Sequence, residues 1–451
     1  MEIYKESKTK VQIITRIPPL ENTGGSSEYL LRLIRLLIKE NIHVQLIILT
    51  SKEPLFNPAF LIPADMQPIS RFPFNTRRVG KHMARDNLVY TVSQLLFTAI
   101  YHSKSQLFDK YDNSMRVENL FKKVFKIFTN GKIPTRETTS DWKDNVTKRL
   151  VPEEIAFLKT CINSFQPDVL ISNYAFSADI FDNIHDERIL RIILAHDLFK
   201  SRIQSFNKIG VQPDIKESVI ESEAKLLRKA DVVVTIQNAE ATTLRKSGLK
   251  CEIITVPMPA IIKEPEGRPV KGRCLFVGSN ALHNVTGIKW FIQKVWPMII
   301  ERNPLCTLHI CGNVCRSITK HDRNTRLFGR VEDLSNQYSE AEVCVVPLIA
   351  GSGLKIKMIE AFSFGRVCVT TSVGAEGMKH LKDLSITIAD NERDFANAVV
   401  DLVESNEKRK TMEKNALEFA SMHLSPDIVY APLIYKIREH TCKGDCTIKW
   451  P

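Results

Sequence analysis

Gly351, Gly353, Lys355 and Glu360 lie close together in the segment AGSGLKIKMIEAFSFG. Two glycines with one residue between them let backbone N–H groups come close to a bound ligand. The pattern that follows predicts a helix, whose N-terminus favours anionic groups. Lys355 adds a full positive charge at that spot, suited to a pyrophosphate. Glu360 falls early in the helix, where a carboxylate accepts hydrogen bonds from sugar hydroxyls. Phosphate binder and hydroxyl binder on one loop and helix are what a nucleotide-sugar pocket requires. The plainer alternative is a glycine turn followed by solvated lysines and a surface glutamate.

Two other places could carry chemistry. His196 and Asp197 end the apolar run ILRIILAHD, and they face a cleft if that strand belongs to a parallel sheet. A histidine at a strand end is otherwise a structural residue. Arg202 follows on the same loop and is a candidate contact for an acceptor. Gly24 and Gly25 come after the first apolar run, with Ser26 or Ser27 able to cap the next helix; a tight turn would use the same residue types. Metal chemistry has weaker support. Cys311 and Cys315, like Cys442 and Cys446, are spaced as zinc ligands can be, but Cys311 ends a strand-like run that reads as core. Neither an Asp-x-Asp pair in a suitable loop nor the paired carboxylates of a glycosidase is evident, so no metal ion is expected.

The elements that must position these residues alternate. VQIIT and HVQLIIL flank an amphipathic helix from about Ser26 to Glu40. PEEIAFLKTCINSF reads as a helix, then DVLISN and ILRIILAHD as strands. A helix through Glu217 to Lys229 precedes DVVVTI, and AEATTLRKSG stops at Gly248 as a C-cap should. The segment PMPAIIKEPEGRP reads as a linker. Alternation then resumes with RCLFVG, the helix GIKWFIQKVWPMII, LCTLHICG, TRLFGR, EVCVVPL, RVCVTTS and LSITIAD. Short apolar strands between helices imply an α/β fold with two doubly wound parallel sheets in series. The expected division is residues 1–260, 261–425, and a final helix and tail over 426–451.

Several of these segments resemble retaining glycosyltransferases of the GT-B fold, of the family 4 or group 1 type. Glu342 to Met378 is similar to that family's donor-site signature, and RCLFVGSNALHNVTGIKWFIQKVWP to the opening of its C-terminal domain. The resemblance implies two Rossmann-like domains. It assigns Lys355 to the donor diphosphate and Glu360 to the ribose. It puts Gly278, Ser279 and Asn284 at the donor phosphates, and Arg330 and Val331 where the backbone meets the nucleobase. Many members carry a sugar-contacting glutamate where this chain has Ser352. A basic residue commonly follows the strand glycine where this chain has Ser279. Gly24 and Gly25 would face donor phosphate and acceptor, and His196 matches the family's His-Asp position beside the donor sugar. SPDIVYAPLIYKIREH resembles the helix that crosses back to the first domain. The implied reaction is transfer of a hexose from a nucleotide sugar to a glycan or lipid-linked hydroxyl. The donor is then a substrate, and no further cofactor is implied.

Residues 52–150 break the alternation. NLVYTVSQLLFTAIYH and VENLFKKVFKIF read as amphipathic helices of a basic insertion. Residues 71–150 alone carry +9 of the chain's net +12. A solvated basic face is one reading; peripheral membrane contact or an acidic acceptor is the other. No nucleic-acid motif accompanies the charge. The opening MEIYKESKTK has no apolar run behind it, and no stretch approaches the roughly 20 apolar residues of a membrane span. A cytoplasmic location, soluble or at the inner membrane face, is expected. A nucleotide-sugar epimerase on the same scaffold and a non-catalytic binding module are the competing functions.

Overall fold

The computed structural model describes residues 9–17, 19, 25–49, 70–71, 146–263, 267–331, 333–353 and 356–441. The two helices read within the basic insertion, the Cys442 and Cys446 pair, Gly24 and Lys355 lie outside the described residues.

The first half contributes strands β1 (Lys10–Thr15), β2 (His43–Ile48), β3 (Ser70–Arg71), β4 (Val169–Asn173), β5 (Leu190–Ala195), β6 (Val232–Thr235) and β7 (Glu252–Thr255). Its helices are α1 (Gly25–Lys39), α2 (Pro152–Phe165), α3 (Phe199–Lys208), α4 (Ser218–Leu227) and α5 (Asn238–Lys246). The second half adds β8 (Arg273–Val277), β9 (Thr307–Cys311), β10 (Thr325–Gly329), β11 (Val343–Val346), β12 (Val367–Thr370) and β13 (Ile386–Ile388). Around these strands lie α6 (Leu282–Trp290), α7 (Trp296–Arg302), α8 (Ser335–Glu340), α9 (Ile356–Ser363), α10 (Glu392–Glu404) and α11 (Asn406–His423). The short α12 (Pro426–Val429) and α13 (Ala431–Thr441) close the described chain.

Among the described residues these strands form two sheets, ordered β3-β2-β1-β4-β5-β6-β7 and β10-β9-β8-β11-β12-β13. Every described pairing is parallel. Strands covered on both faces by helices need apolar residues at successive positions, which explains the unbroken VVVT and VCVV runs. In each sheet the order reverses beside the first strand, between β1 and β4 and between β8 and β11. Ligands of doubly wound sheets bind in the crevice at such a reversal, beyond the carboxyl ends of the strands.

Local chemistry sets several helix ends. Gly248 takes φ +76° just past α5, a conformation that costs other residues a steric clash. The Val151 N–H donates to Glu154 Oε2 at 3.1 Å at the start of α2, and Asn391 caps α10 by accepting from the Asp394 N–H at 2.9 Å. Two readings from sequence need correction. The long helix expected over GIKWFIQKVWPMII is interrupted by a π-turn at Phe291–Val295, because Pro297 lacks the N–H that a continuous α-helix requires. Ser26 and Ser27 do not cap α1: the helix already starts at Gly25, so both lie inside its first turn.

The two halves share one apolar core. It runs from Val11, Ile13 and α1 through Val256, Met258 and Ala260 to Val346, Leu348 and Phe362. The segment read as a linker therefore packs, with Ala260 N–H donating to Leu424 O at 2.6 Å and Lys263 N–H to Ser363 O at 2.9 Å. The last helices return to the first sheet. Asp427 pairs with Lys39 at 2.9 Å, Lys436 with Glu252 at 2.8 Å, and Arg438 with Glu40.

Candidate active site

Beyond β8 the chain turns at Gly278. A Cβ there would lie 2.8 Å from the Phe276 ring and 3.3 Å from the Asn284 side chain, so only glycine lets this turn sit against both. Asn284 is buried in the first turn of α6, inside the helix. Its Nδ2 donates to the Ser279 carbonyl and hydroxyl, each at 3.1 Å. Its Oδ1 accepts from Lys357 Nζ at 2.7 Å. Lys357 Nζ also lies 5.7 Å from the centre of the Phe276 ring. The structure thus gathers Gly278, Ser279 and Asn284 and adds Lys357, which sequence reasoning did not single out. The available signal was the spacing of Lys357 and Glu360, three apart on α9.

Glu360 accepts from the Tyr338 hydroxyl at 2.9 Å. Burial raises its pKa, against the opposing influence of that hydrogen bond and of Arg32 and Lys357. Arg32 belongs to α1 of the first half. It pairs with Glu28 at 3.1 Å and donates to the Pro259 carbonyl. Gly25, at the start of α1, comes so close to α9 that an added Cβ would lie 2.1 Å from Ile356 Cδ1. Arg330 is exposed just past β10, and Val331 packs against the shared core. They stand at the carboxyl end of the same sheet, on a loop joined to its neighbour by Gly312 N–H donating to Gly329 O at 2.6 Å.

Facing this crevice, the ends of β1, β4 and β5 are stitched together. Asn173 Nδ2 donates to Thr15 Oγ1 at 2.9 Å, which leaves Asn173 Oδ1 to accept from His196 Nε2 at 2.6 Å. The imidazole meets the Tyr29 ring edge-on, centroids 5.0 Å apart, and lies 4.7 Å from that of Tyr174. Burial pushes the pKa of His196 down to about 3, so it works as a neutral ring.

The two sides touch through the glycine loop. Gly351 and Gly353 have φ of +125° and +73°. Gly351 N–H donates to Ser205 Oγ at 2.9 Å, and the Ser352 hydroxyl donates to Asp197 Oδ1. A Cβ on Gly353 would stand 3.2 Å from the His196 carbonyl. Arg202 is not placed to meet an acceptor. Its buried guanidinium bonds Asp197 at 3.1 Å and Asp214 at 3.1 and 2.9 Å. Of the cysteines, Cys311 is enclosed in the sheet and Cys315 Sγ donates to the Ile310 carbonyl at 3.3 Å. Among the described residues no group of three or more His, Cys, Asp or Glu side chains could hold a metal ion.

Residues 271–405, which contain Gly278, Ser279, Asn284, the glycine loop, Lys357 and Glu360, match the family model described as Glycosyl transferases group 1. They form a group 1 glycosyltransferase domain. The chain is similar over 171 residues, at 26% identity, to an uncharacterized 44.6 kDa protein in the cps region of Klebsiella pneumoniae; the match covers 35% of this chain and 44% of that protein, less than half its length. Solved structures resemble nearly the whole chain. Sucrose-phosphate synthase from Thermosynechococcus elongatus matches with a TM-score of 0.66 at 14% identity, over 96% of this chain and 99% of that one. TarM of S. aureus, solved with UDP and alpha-GlcNAc-glycerol, gives 0.66 at 12% identity over 96% and 100%. HepE of Anabaena, solved with UDP and glucose, gives 0.61 at 10% identity over 96% and 100%. At such identities the likeness establishes the fold, two Rossmann-like domains in the GT-B arrangement, with the glycosyltransferase domain as the second.

Proposed function

We propose that this protein is a glycosyltransferase that moves a hexose from a nucleoside-diphosphate sugar to a hydroxyl acceptor, with retention at the anomeric carbon. The observation that carries the reading is the meeting of two strand-end crevices. One holds Ser279, Asn284, Lys357 and the glycine loop; the other holds His196 and Asp197. Lys355, Lys357 and the loop amides would supply positive charge to the diphosphate, with no metal ion or further cofactor invoked. Glu360 would take the ribose hydroxyls, and the loop beyond β10 at Arg330 and Val331 the base. The bond from the anomeric carbon to the diphosphate oxygen breaks with its electron pair on the diphosphate. The acceptor oxygen forms the new bond, and its proton passes to the departing diphosphate. His196, uncharged and fixed by Asn173, would lie against the sugar without competing for that proton. Closure of the two domains excludes water from the reacting carbon.

A polysaccharide, glycan or lipid-linked sugar would be the acceptor, and the +9 charge of residues 71–150 suits an anionic one or a cytoplasmic membrane face. Nucleotides in the related structures support a UDP-type donor. The test is a thermal-shift and calorimetric screen of UDP, GDP, ADP and TDP with their hexose conjugates. One nucleotide should stabilise the wild-type chain, and Lys357→Ala should weaken it about tenfold or more, the loss of one charge-assisted hydrogen bond. Binding by none would overturn the proposal.

A further inference from the structure

We propose that Asp197 is the specificity-determining carboxylate of this site, accepting hydrogen bonds from hydroxyls of the transferred sugar, with Arg202 and Asp214 as its positioning pair. The inference rests on the glycosyl-transfer reading and adds to it the group through which the first domain reads the donor sugar.

Three carboxylates gather where β5 ends, and two are spent on the backbone. Glu240 Oε1 accepts from the Leu198 N–H at 3.2 Å, and Glu223 Oε2 from the Phe199 N–H at 3.1 Å. Both therefore serve the start of α3. Burial, with the nearby charge of Asp197, raises the pKa of Glu223 well above that of an ordinary carboxyl. Asp197 is turned the other way, towards the second domain. Its Oδ2 takes Arg202 at 3.1 Å, and Arg202 is in turn clamped by both oxygens of Asp214, so the carboxylate is held in one orientation. Its Oδ1 receives the hydroxyl of Ser352 from the glycine loop.

A serine hydroxyl on a carboxylate is the same chemical pairing as a sugar hydroxyl on a carboxylate. Asp197 sits next to His196, opposite a loop followed directly by the helix of Lys357 and Glu360. A hexose joined to a diphosphate in that crevice would meet Oδ1 and displace the Ser352 hydroxyl from it. The Arg202 contact would remain and keep the acceptor aimed. A site that offers a carboxylate to a hydroxyl discriminates against an analogue lacking it, which leaves Asp197 Oδ1 with the Ser352 hydroxyl and gains nothing from the exchange.

Calorimetry separates the sugar from the nucleotide. Wild type, Asp197→Asn and Ser352→Ala would each be titrated with UDP and UDP-glucose, GDP and GDP-mannose, ADP and ADP-glucose, and TDP and TDP-glucose. For the pair that binds wild type, Asp197→Asn should weaken the hexose conjugate about tenfold while the bare diphosphate stays within about twofold. Ser352→Ala removes the competing hydroxyl and should tighten the conjugate about threefold, again without changing the bare diphosphate. Equal weakening of both ligands, or of neither, in Asp197→Asn overturns the inference, as does conjugate binding weakened by Ser352→Ala. In those cases nucleotide binding, and with it the glycosyl-transfer reading, stands. Binding of no nucleotide by the wild-type chain overturns both.

Discussion

Lowering the pH from 7 to 5 should cost this protein about 2 kcal/mol of stability through His196 alone. The ring is enclosed by Tyr29, Tyr174 and Asn173, and burial holds its pKa near 3 against an ordinary 6.5. Below about pH 6.5 the unfolded chain takes up a proton that the folded chain refuses until about pH 3. The contribution is therefore fully present above 6.5 and is lost as the pH falls towards 3, at about 1.4 kcal/mol per unit. His196→Gln keeps a hydrogen-bonding group beside Asn173 and titrates nowhere in that window. Urea unfolding of both proteins at pH 7 and pH 5 gives the relevant number as a difference of differences, free of whatever the substitution costs by itself. The wild type should lose about 2 kcal/mol more than the variant. The His196 ring resonance, assigned by its disappearance in the variant, should show no titration above pH 4. Equal losses in the two proteins, or a His196 resonance titrating near 6.5, would refute the reasoning.

Other substitutions probe the frame around the site. Gly287→Ala places a Cβ 2.4 Å from the Pro347 carbonyl, forcing α6 away from the strand that feeds the glycine loop. We expect about 2 kcal/mol of destabilisation, read by thermal unfolding, and weaker nucleotide binding. Glu154→Gln strips the buried Arg16 of its carboxylate partner, 2.7 Å away, and should cost about 3 kcal/mol. Burial pushes the Glu154 carboxyl up, but the Arg16 hydrogen bond and charge outweigh it and set the folded pKa below the ordinary 4.5. Its contribution is accordingly present above about pH 4.5 and lost as the pH falls through the folded value, a loss that Glu154→Gln should abolish in acid unfolding.

Much of the fold could be read in the sequence because strands covered on both faces leave unbroken apolar runs. The run DVVVTI contains β6, and EVCVVPL contains β11. What escaped depends on partners distant in sequence. Lys355 and Lys357 are equivalent as residue types. Lys357 is marked by Asn284, 73 positions away and itself tied to Ser279, which no local pattern shows. Arg202 looks like an acceptor contact until Asp214 is seen folding back on it, twelve residues later. The π-turn before Pro297 and the separation of α12 from α13 are likewise adjustments of expected helices, the first read from the alternation of elements and the second from the resemblance. Ser352 was conspicuous as a departure from the resembled pattern, but its pairing with Asp197 joins two domains that no local signal connects.

The return of α13 to the first sheet brings the side-chain oxygens of Thr9 and Thr441 to 3.2 Å. The described polypeptide is therefore nearly a ring. A short peptide joining residue 441 to residue 9, with a new opening between residues 263 and 267, would yield a circular permutant made with its glycosyltransferase domain first. Such a molecule would rebuild the same interdomain cleft from the opposite order of synthesis, with β1 now an internal strand of the chain. Domain order would then be a property of where the ring is cut, and the cleft would be indifferent to it.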